Sequence, residues 1–230
     1  MQLCRLSIVP ALMFLSACGG GAPQSEPAPP EAAASEQPVM GPERHVLAFG
    51  DSLFAGYNVA QEDSYPARLQ AALRAQGVNA RVVNAGVSGD TSAAGLQRLA
   101  FTLDAQDPKP DLVILELGGN DLLRGLSPAE TRANFVAMLD ELKKRNIPVL
   151  LMGMRAPPNY GPEYQQAFDA LYPELARQYG TAFVPFWLES IYQDQALFQQ
   201  DRIHPTEDGI EALVGATVKD VAGALPPVTE

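Results

Sequence analysis

The feature that most restricts the fold of this chain is a rhythm. Short, continuously apolar runs at 45–49, 80–85, 111–117, 148–153 and 181–185 are separated by longer stretches with the apolar spacing of a helix. Val46-Leu47-Ala48-Phe49 and Leu112-Val113-Ile114-Leu115 do not alternate apolar with polar. Such runs are expected to form strands covered on both faces, as in a parallel sheet. Between them, 64–76 brings Leu69, Ala72 and Leu73 to one helical face, and 91–105 does the same with Leu96, Leu99 and Leu103. Ser127-Pro128-Ala129-Glu130 has the form of a capping box with proline at the first helical position, opening a helix that runs to about Lys144. Residues 162–178 and 206–223 supply two more helices. Strand–helix alternation of this kind predicts one doubly wound α/β domain, in three layers α/β/α, over residues 43–226.

The N-terminus reads differently. After Arg5 comes an apolar stretch from Leu6 to Leu15, too short to cross a bilayer and suited to the core of a signal peptide spanning 1–17. It ends in Leu15-Ser16-Ala17-Cys18, which resembles a bacterial lipobox. The resemblance implies cleavage before Cys18 and a lipid on its thiol; an ordinary secretory signal cut nearby is the alternative. Residues 19–42 hold almost no large apolar side chain and cannot offset the entropy of ordering, so 18–42 is expected to be a lipidated cysteine followed by a disordered tether. Gly19, rather than aspartate, follows the cysteine, which points to the outer membrane, facing the periplasm, in a cell with two membranes.

Composition narrows the chemistry. Both cysteines, Cys4 and Cys18, precede the domain, so it can hold no disulfide, thiolate zinc site or cysteine nucleophile. With only His45 and His204, a histidine-rich metal site is out of reach. A carboxylate-only Ca²⁺ or Mg²⁺ site stays open, although no EF-hand spacing occurs, and neither metal nor cofactor is expected. A formal charge of −11, without a cluster of Lys and Arg, argues against a nucleic-acid partner.

Three polar clusters directly follow three successive strands: Gly50-Asp51-Ser52, Gly86-Val87-Ser88-Gly89-Asp90-Thr91 and Gly118-Gly119-Asn120-Asp121. In open α/β sheets the ligand crevice lies at the carboxyl ends of the strands, so all three are expected along one rim. Any one of them is ordinary turn chemistry. Taken with the late segment Asp201-Arg202-Ile203-His204-Pro205, they supply a hydroxyl, a base and an acid that could orient the base. A serine needs such a base to become a nucleophile, and the base needs a third group to hold it. The three-residue spacing of Asp201 and His204 would place them on one side of a helical turn. His45, at the start of the first strand, is expected to be inert. No Gly-x-Ser-x-Gly occurs, which argues against the nucleophile elbow of α/β-hydrolases.

In their order, these blocks resemble the SGNH (GDSL) hydrolases. The likeness within that family is to bacterial acyl-CoA thioesterase I/lysophospholipase-type esterases, carried by Ser88-Gly89-Asp90-Thr91-Ser92, by Leu115 through Asp121 and by Pro157-Pro158-Asn159-Tyr160-Gly161. The resemblance implies a flavodoxin-like, five-stranded parallel sheet. It implies Ser52 as nucleophile, His204 as base and Asp201 as its orienter. The oxyanion hole would be the N–H groups of Ser52 and Gly89 with the amide of Asn120, and an acyl-enzyme would form. Leu122, Leu123 and Leu126 could form a loop that, as in the thioesterase-like relatives, moves with the acyl chain, or equally a simple apolar turn packed on the core. Asp51 and Asp90 are expected to bond local amides, Glu116 to be a hydrogen-bonded structural carboxylate, and Arg155 to form a surface ion pair. A lipid tether turns the expected substrate from acyl-CoA toward lysophospholipids or small esters. Two other readings stay open: an O-acetyl esterase acting on polysaccharide, and a ligand-binding lipoprotein without catalysis.

Overall fold

The computed structural model describes residues 39–228. The signal peptide, Cys18 and nearly all of the tether lie outside the described residues. The five apolar runs become strands β1 (Arg44–Gly50), β2 (Ala80–Gly86), β3 (Leu112–Leu115), β4 (Val149–Met152) and β5 (Ala182–Val184). They form one parallel sheet in the order β2-β1-β3-β4-β5. β3 and β4 are buried at every residue, as continuous apolar runs require, whereas β2 at the edge is only partly covered.

Two helical layers cover the sheet. Helix α2 (Tyr65–Ala75) packs with α7 (Glu207–Ala224), while α3 (Ser92–Asp104), α5 (Pro128–Lys144) and α6 (Pro162–Tyr179) pack in succession. The first pair is joined inside the core by Tyr65 Oη and Thr217 Oγ1 at 2.7 Å. Side-chain caps start the helices where the sequence places hydroxyls. Thr91 accepts the Ala94 N–H, Ser127 the Ala129 N–H and Thr206 the Gly209 N–H.

Two short helices, α1 (Ser52–Ala55) and α4 (Gly119–Leu123), were not foreseen. Neither is long enough to show a 3.6-residue period. Both begin where a central strand ends, β1 and β3 respectively. From β1 the chain moves outward to β2, then returns to the other side of β1 with β3. The crevice above that reversal is where an open α/β sheet presents a ligand site.

Candidate active site

The turn after β1 is built from buried polar bonds. Asp51 is the N-cap of α1, and its Oδ1 accepts the Leu53 N–H at 3.0 Å. Ser52 is therefore the first residue of the helix, held over the end of the sheet. Asn84 Nδ2 donates to the Phe54 carbonyl (2.9 Å), and Arg98 donates to the Gly50 carbonyl (2.9 Å), tying the turn to β2 and α3. Gly86 allows this closeness, since a Cβ there would lie 2.3 Å from the Ala55 nitrogen.

His204 reaches Ser52 from far along the chain. Its Nε2 lies 2.8 Å from Ser52 Oγ, and its Nδ1 lies 2.7 Å from Asp201 Oδ2. Asp201 and His204 do not sit on a helical turn. Arg202 between them has φ +59°, and the turn is made by the acid itself: Asp201 Oδ1 accepts the N–H groups of Ile203 (2.9 Å) and His204 (3.1 Å). Burial alone would raise the Asp201 carboxyl, but bonds from the His204 ring and these two amides outweigh it and hold the acid below the ordinary carboxylate range. With Asp201 ionised, Nδ1 is assigned the proton and Nε2 is left to accept from the serine hydroxyl.

A further contact has no signature in the sequence. The Tyr57 ring stacks on the His204 ring with centroids 4.1 Å apart. Gln199 joins the same two loops, donating to the Tyr57 carbonyl (2.8 Å) and the Pro205 carbonyl (3.0 Å).

Asn120, the second residue of α4, donates from Nδ2 to Asp51 Oδ2 (3.0 Å) and to the Asp90 carbonyl (3.0 Å). Both amide hydrogens are thus engaged at rest, and any further acceptor would have to share or displace one of these two. Gly89, next to Asp90, has φ +84°, and an added Cβ would meet nothing nearer than Arg124 Nη2 at 3.7 Å. Its glycine is demanded by the sign of φ rather than by crowding in the resting site. Gly89 and Asp201 are not in the cavity wall; Ser52, Asn120 and His204 are.

Other expectations need correction. Asp90 does not bond local amides: it pairs with Arg98 at 2.6 Å, and that guanidinium also lies 3.9 Å from the centre of the Phe49 ring. Asp51 bonds the local Leu53 amide as expected but also holds Asn120. Glu116 is poorly bonded for a structural carboxylate, with a single 3.3 Å contact from the Asp51 N–H. Arg155 does form a surface pair, with Glu189 at 3.1 Å. Asp121 accepts from Ser92 and Thr131, joining α4 to α3 and α5.

The cavity beside Ser52 has a volume of about 390 Å³ and a mostly apolar wall that includes Leu53, Leu122, Leu123, Met154, Phe186 and Leu188. Leu126 is not in that wall; its carbonyl accepts the Tyr164 hydroxyl (2.8 Å), as the Leu122 carbonyl accepts that of Tyr160 (2.8 Å). Arg155 and Arg202 stand at the rim.

The chain is similar to known proteins. The chain is similar to the esterase TesA of Pseudomonas aeruginosa, at 45% identity over 160 residues, 70% of this chain and 79% of that protein. It is 41% identical over 163 residues to the thioesterase 1/protease 1/lysophospholipase L1 of Escherichia coli, covering 71% of this chain and 76% of that one. Among solved structures, the SGNH-hydrolase family esterase AlinE4 is 60% identical with a TM-score of 0.69, over 82% of this chain and all of that one. The structure of TesA superposes with a TM-score of 0.74 at 40% identity, over 79% of this chain and all of that one. A five-stranded parallel sheet carrying this rim defines a carboxylic ester hydrolase. The chain belongs to the GDSL-like lipase/acylhydrolase family, whose model matches residues 48–212.

Proposed function

We propose that the chain is a serine esterase in which Ser52, His204 and Asp201 form the catalytic triad. The observation that carries this reading is the unbroken series from Asp201 Oδ2 through the His204 ring to Ser52 Oγ, with 2.7 and 2.8 Å steps. His204 takes the hydroxyl proton as Ser52 attacks the ester carbonyl, then delivers it to the departing alcohol or thiol. Water repeats the attack on the acyl-enzyme, again with His204 as base. Asp201 fixes the imidazole tautomer and stabilises the imidazolium. Developing negative charge on the carbonyl oxygen is met by the N–H groups of Ser52 and Gly89 and by the Asn120 amide.

The cavity wall supports an acyl or aryl group larger than acetyl, because several apolar side chains there would gain nothing from so small a guest. Together with the names of its relatives, this favours aryl esters, lysophospholipids or acyl thioesters over polysaccharide acetyl groups. The full chain is expected to hydrolyse p-nitrophenyl esters with a kcat/KM that rises from acetate into medium chains and to react at Ser52 with a fluorophosphonate. A profile confined to acetate would move the reading to a deacetylase, and absence of both labelling and turnover would remove the enzyme.

The sequence Leu15-Ser16-Ala17-Cys18 supports a lipid on Cys18 and a place in the cell envelope, at the periplasmic face of the outer membrane. A single acyl chain anchors only weakly, whereas two or more hold firmly. Cys18→Ser is expected to move the full chain from the membrane pellet to the soluble fraction of the producing cells. Unchanged pelleting would rule the anchor out.

A further inference from the structure

Beneath the nucleophile lies a pair of buried acids that the reaction above does not use. Glu116 follows β3 directly and is fully buried. Its Oε2 receives one long bond, from the Asp51 N–H at 3.3 Å, and its Oε1 has no hydrogen-bond partner. The carboxyl is pressed against the end of β1, where a Cβ added to Gly50 would come within 2.7 Å of Oε2. Asp51, also buried, is better served: one oxygen accepts the Leu53 N–H and the other the Asn120 amide, both at 3.0 Å.

The groups facing this pair are mostly acids or neutral. Tyr172 of α6 lies close to Glu116 but donates its hydroxyl to the Leu117 carbonyl. Asp90 faces Asp51 with its charge answered by Arg98, Asp121 of α4 is bonded to Ser92 and Thr131, and His204 lies near enough to act on the Asp51 charge. Two adjacent carboxyls in such a place cannot both ionise. The acid with two short donors keeps the charge, and Glu116 keeps the proton, which its carboxyl can share with the Asp51 side chain beside it. Burial raises both acids, Glu116 well above the ordinary carboxylate range but Asp51 only to about 6, because the bonds from Leu53 and Asn120 offset part of it.

The consequence reaches Asn120. An ionised Asp51 can only accept, so together with the Asp90 carbonyl it selects the amide orientation in which Nδ2 faces these two acceptors beside the cavity. A protonated Asp51 could donate to the amide oxygen and let the side chain turn over, aiming a carbonyl at the developing oxyanion. An ionised Glu116 would add a second negative charge beneath that same oxyanion. We propose that Glu116 is a positioning residue that stays neutral during turnover, confines the single charge of the pair to Asp51, and through Asp51 keeps the Asn120 amide aimed at the reacting oxygen. This rests on Asn120 serving the oxyanion, as in the function proposed above.

The test uses the full chain at about pH 8, far above the ordinary carboxylate range. Infrared spectra of the parent should show the carbonyl stretch of a protonated, buried carboxylic acid, and Glu116→Gln should lose it. Because glutamine has the shape of the neutral acid, kcat and KM of this variant are expected to stay within about threefold of the parent, a shift small beside what misplacement costs. Glu116→Ala removes the carboxyl oxygen that holds the Asp51 N–H, loosens Asp51 beneath Asn120 and should lower kcat roughly ten- to a hundredfold with KM little changed. That loss should vanish when Asn120→Ala is already present. A missing band, a band that survives in Glu116→Gln, or an alanine effect that persists without Asn120 would each overturn the proposal. If Glu116→Ala does not fold, the glutamine variant decides through its spectrum and its kcat. Should Asn120→Ala alone leave kcat unaltered, the oxyanion role of Asn120 fails and this proposal with it, whereas a missing band alone sinks only the role of Glu116.

Discussion

Ser52→Ala is expected to lower kcat for p-nitrophenyl ester hydrolysis by about 10⁵- to 10⁶-fold, to the level that binding and the oxyanion donors sustain without a nucleophile. The reason is positional as well as chemical. Ser52 Oγ is the atom to which the Asp201–His204 series leads. No other hydroxyl is bonded to the His204 ring among the described residues. KM should change little, because the cavity wall is left intact. Adding His204→Ala to this variant should cost almost nothing further, since a base with no nucleophile to activate has no work. The decisive measurement is kcat on protein free of host esterase, checked by loss of fluorophosphonate labelling. Retention of more than a few per cent of the parent rate, in a variant with the parent's melting temperature, would show that another residue carries the acyl group.

Asn120→Ala should lower kcat by about 10²- to 10³-fold, the usual consequence of losing one oxyanion donor. Here the change does more than remove a donor. Asn120 bridges Asp51 and the Asp90 carbonyl, so alanine also strips a bond from a buried carboxylate. A stability loss of roughly 1–3 kcal/mol is therefore expected alongside the kinetic one. The two are separable: a transition-state donor lowers kcat at nearly constant KM, whereas a collapsed site raises KM as well. A variant that is destabilised but kinetically normal would leave Asn120 as a structural bridge only, with the oxyanion met by backbone N–H groups.

Much of this was legible in the chain because the informative patterns are local. Continuous apolar runs such as Leu112–Leu115 mark strands covered on both faces, and the observed strands and long helices begin and end within a few residues of their expected places. Residues at strand ends had to share a rim once the sheet was parallel, which brought Ser52 and Asn120 together before any coordinates. What escaped was set by contacts between distant segments or by the backbone. The turn at Asp201 depends on a positive φ at Arg202, a residue that gives no hint of it. Tyr57 on His204 and Arg98 on Asp90 are tertiary contacts with no periodicity to betray them. Glu116 reads as a hydrogen-bonded structural carboxylate in an apolar strand, and only the structure exposes its lack of donors beside Asp51.

Ser52 stands just after the first strand and His204 just before the last helix, 152 residues apart. The two halves of the proposed proton path are contributed by opposite ends of the domain. With the triad proposed above, hydrolysis requires the C-terminal segment to be docked against the N-terminal one, where Gln199 bonds it to the Tyr57 loop. On that reading turnover becomes a gauge of chain closure: a cut or local opening that releases the last helix is expected to silence it while most of the sheet still stands.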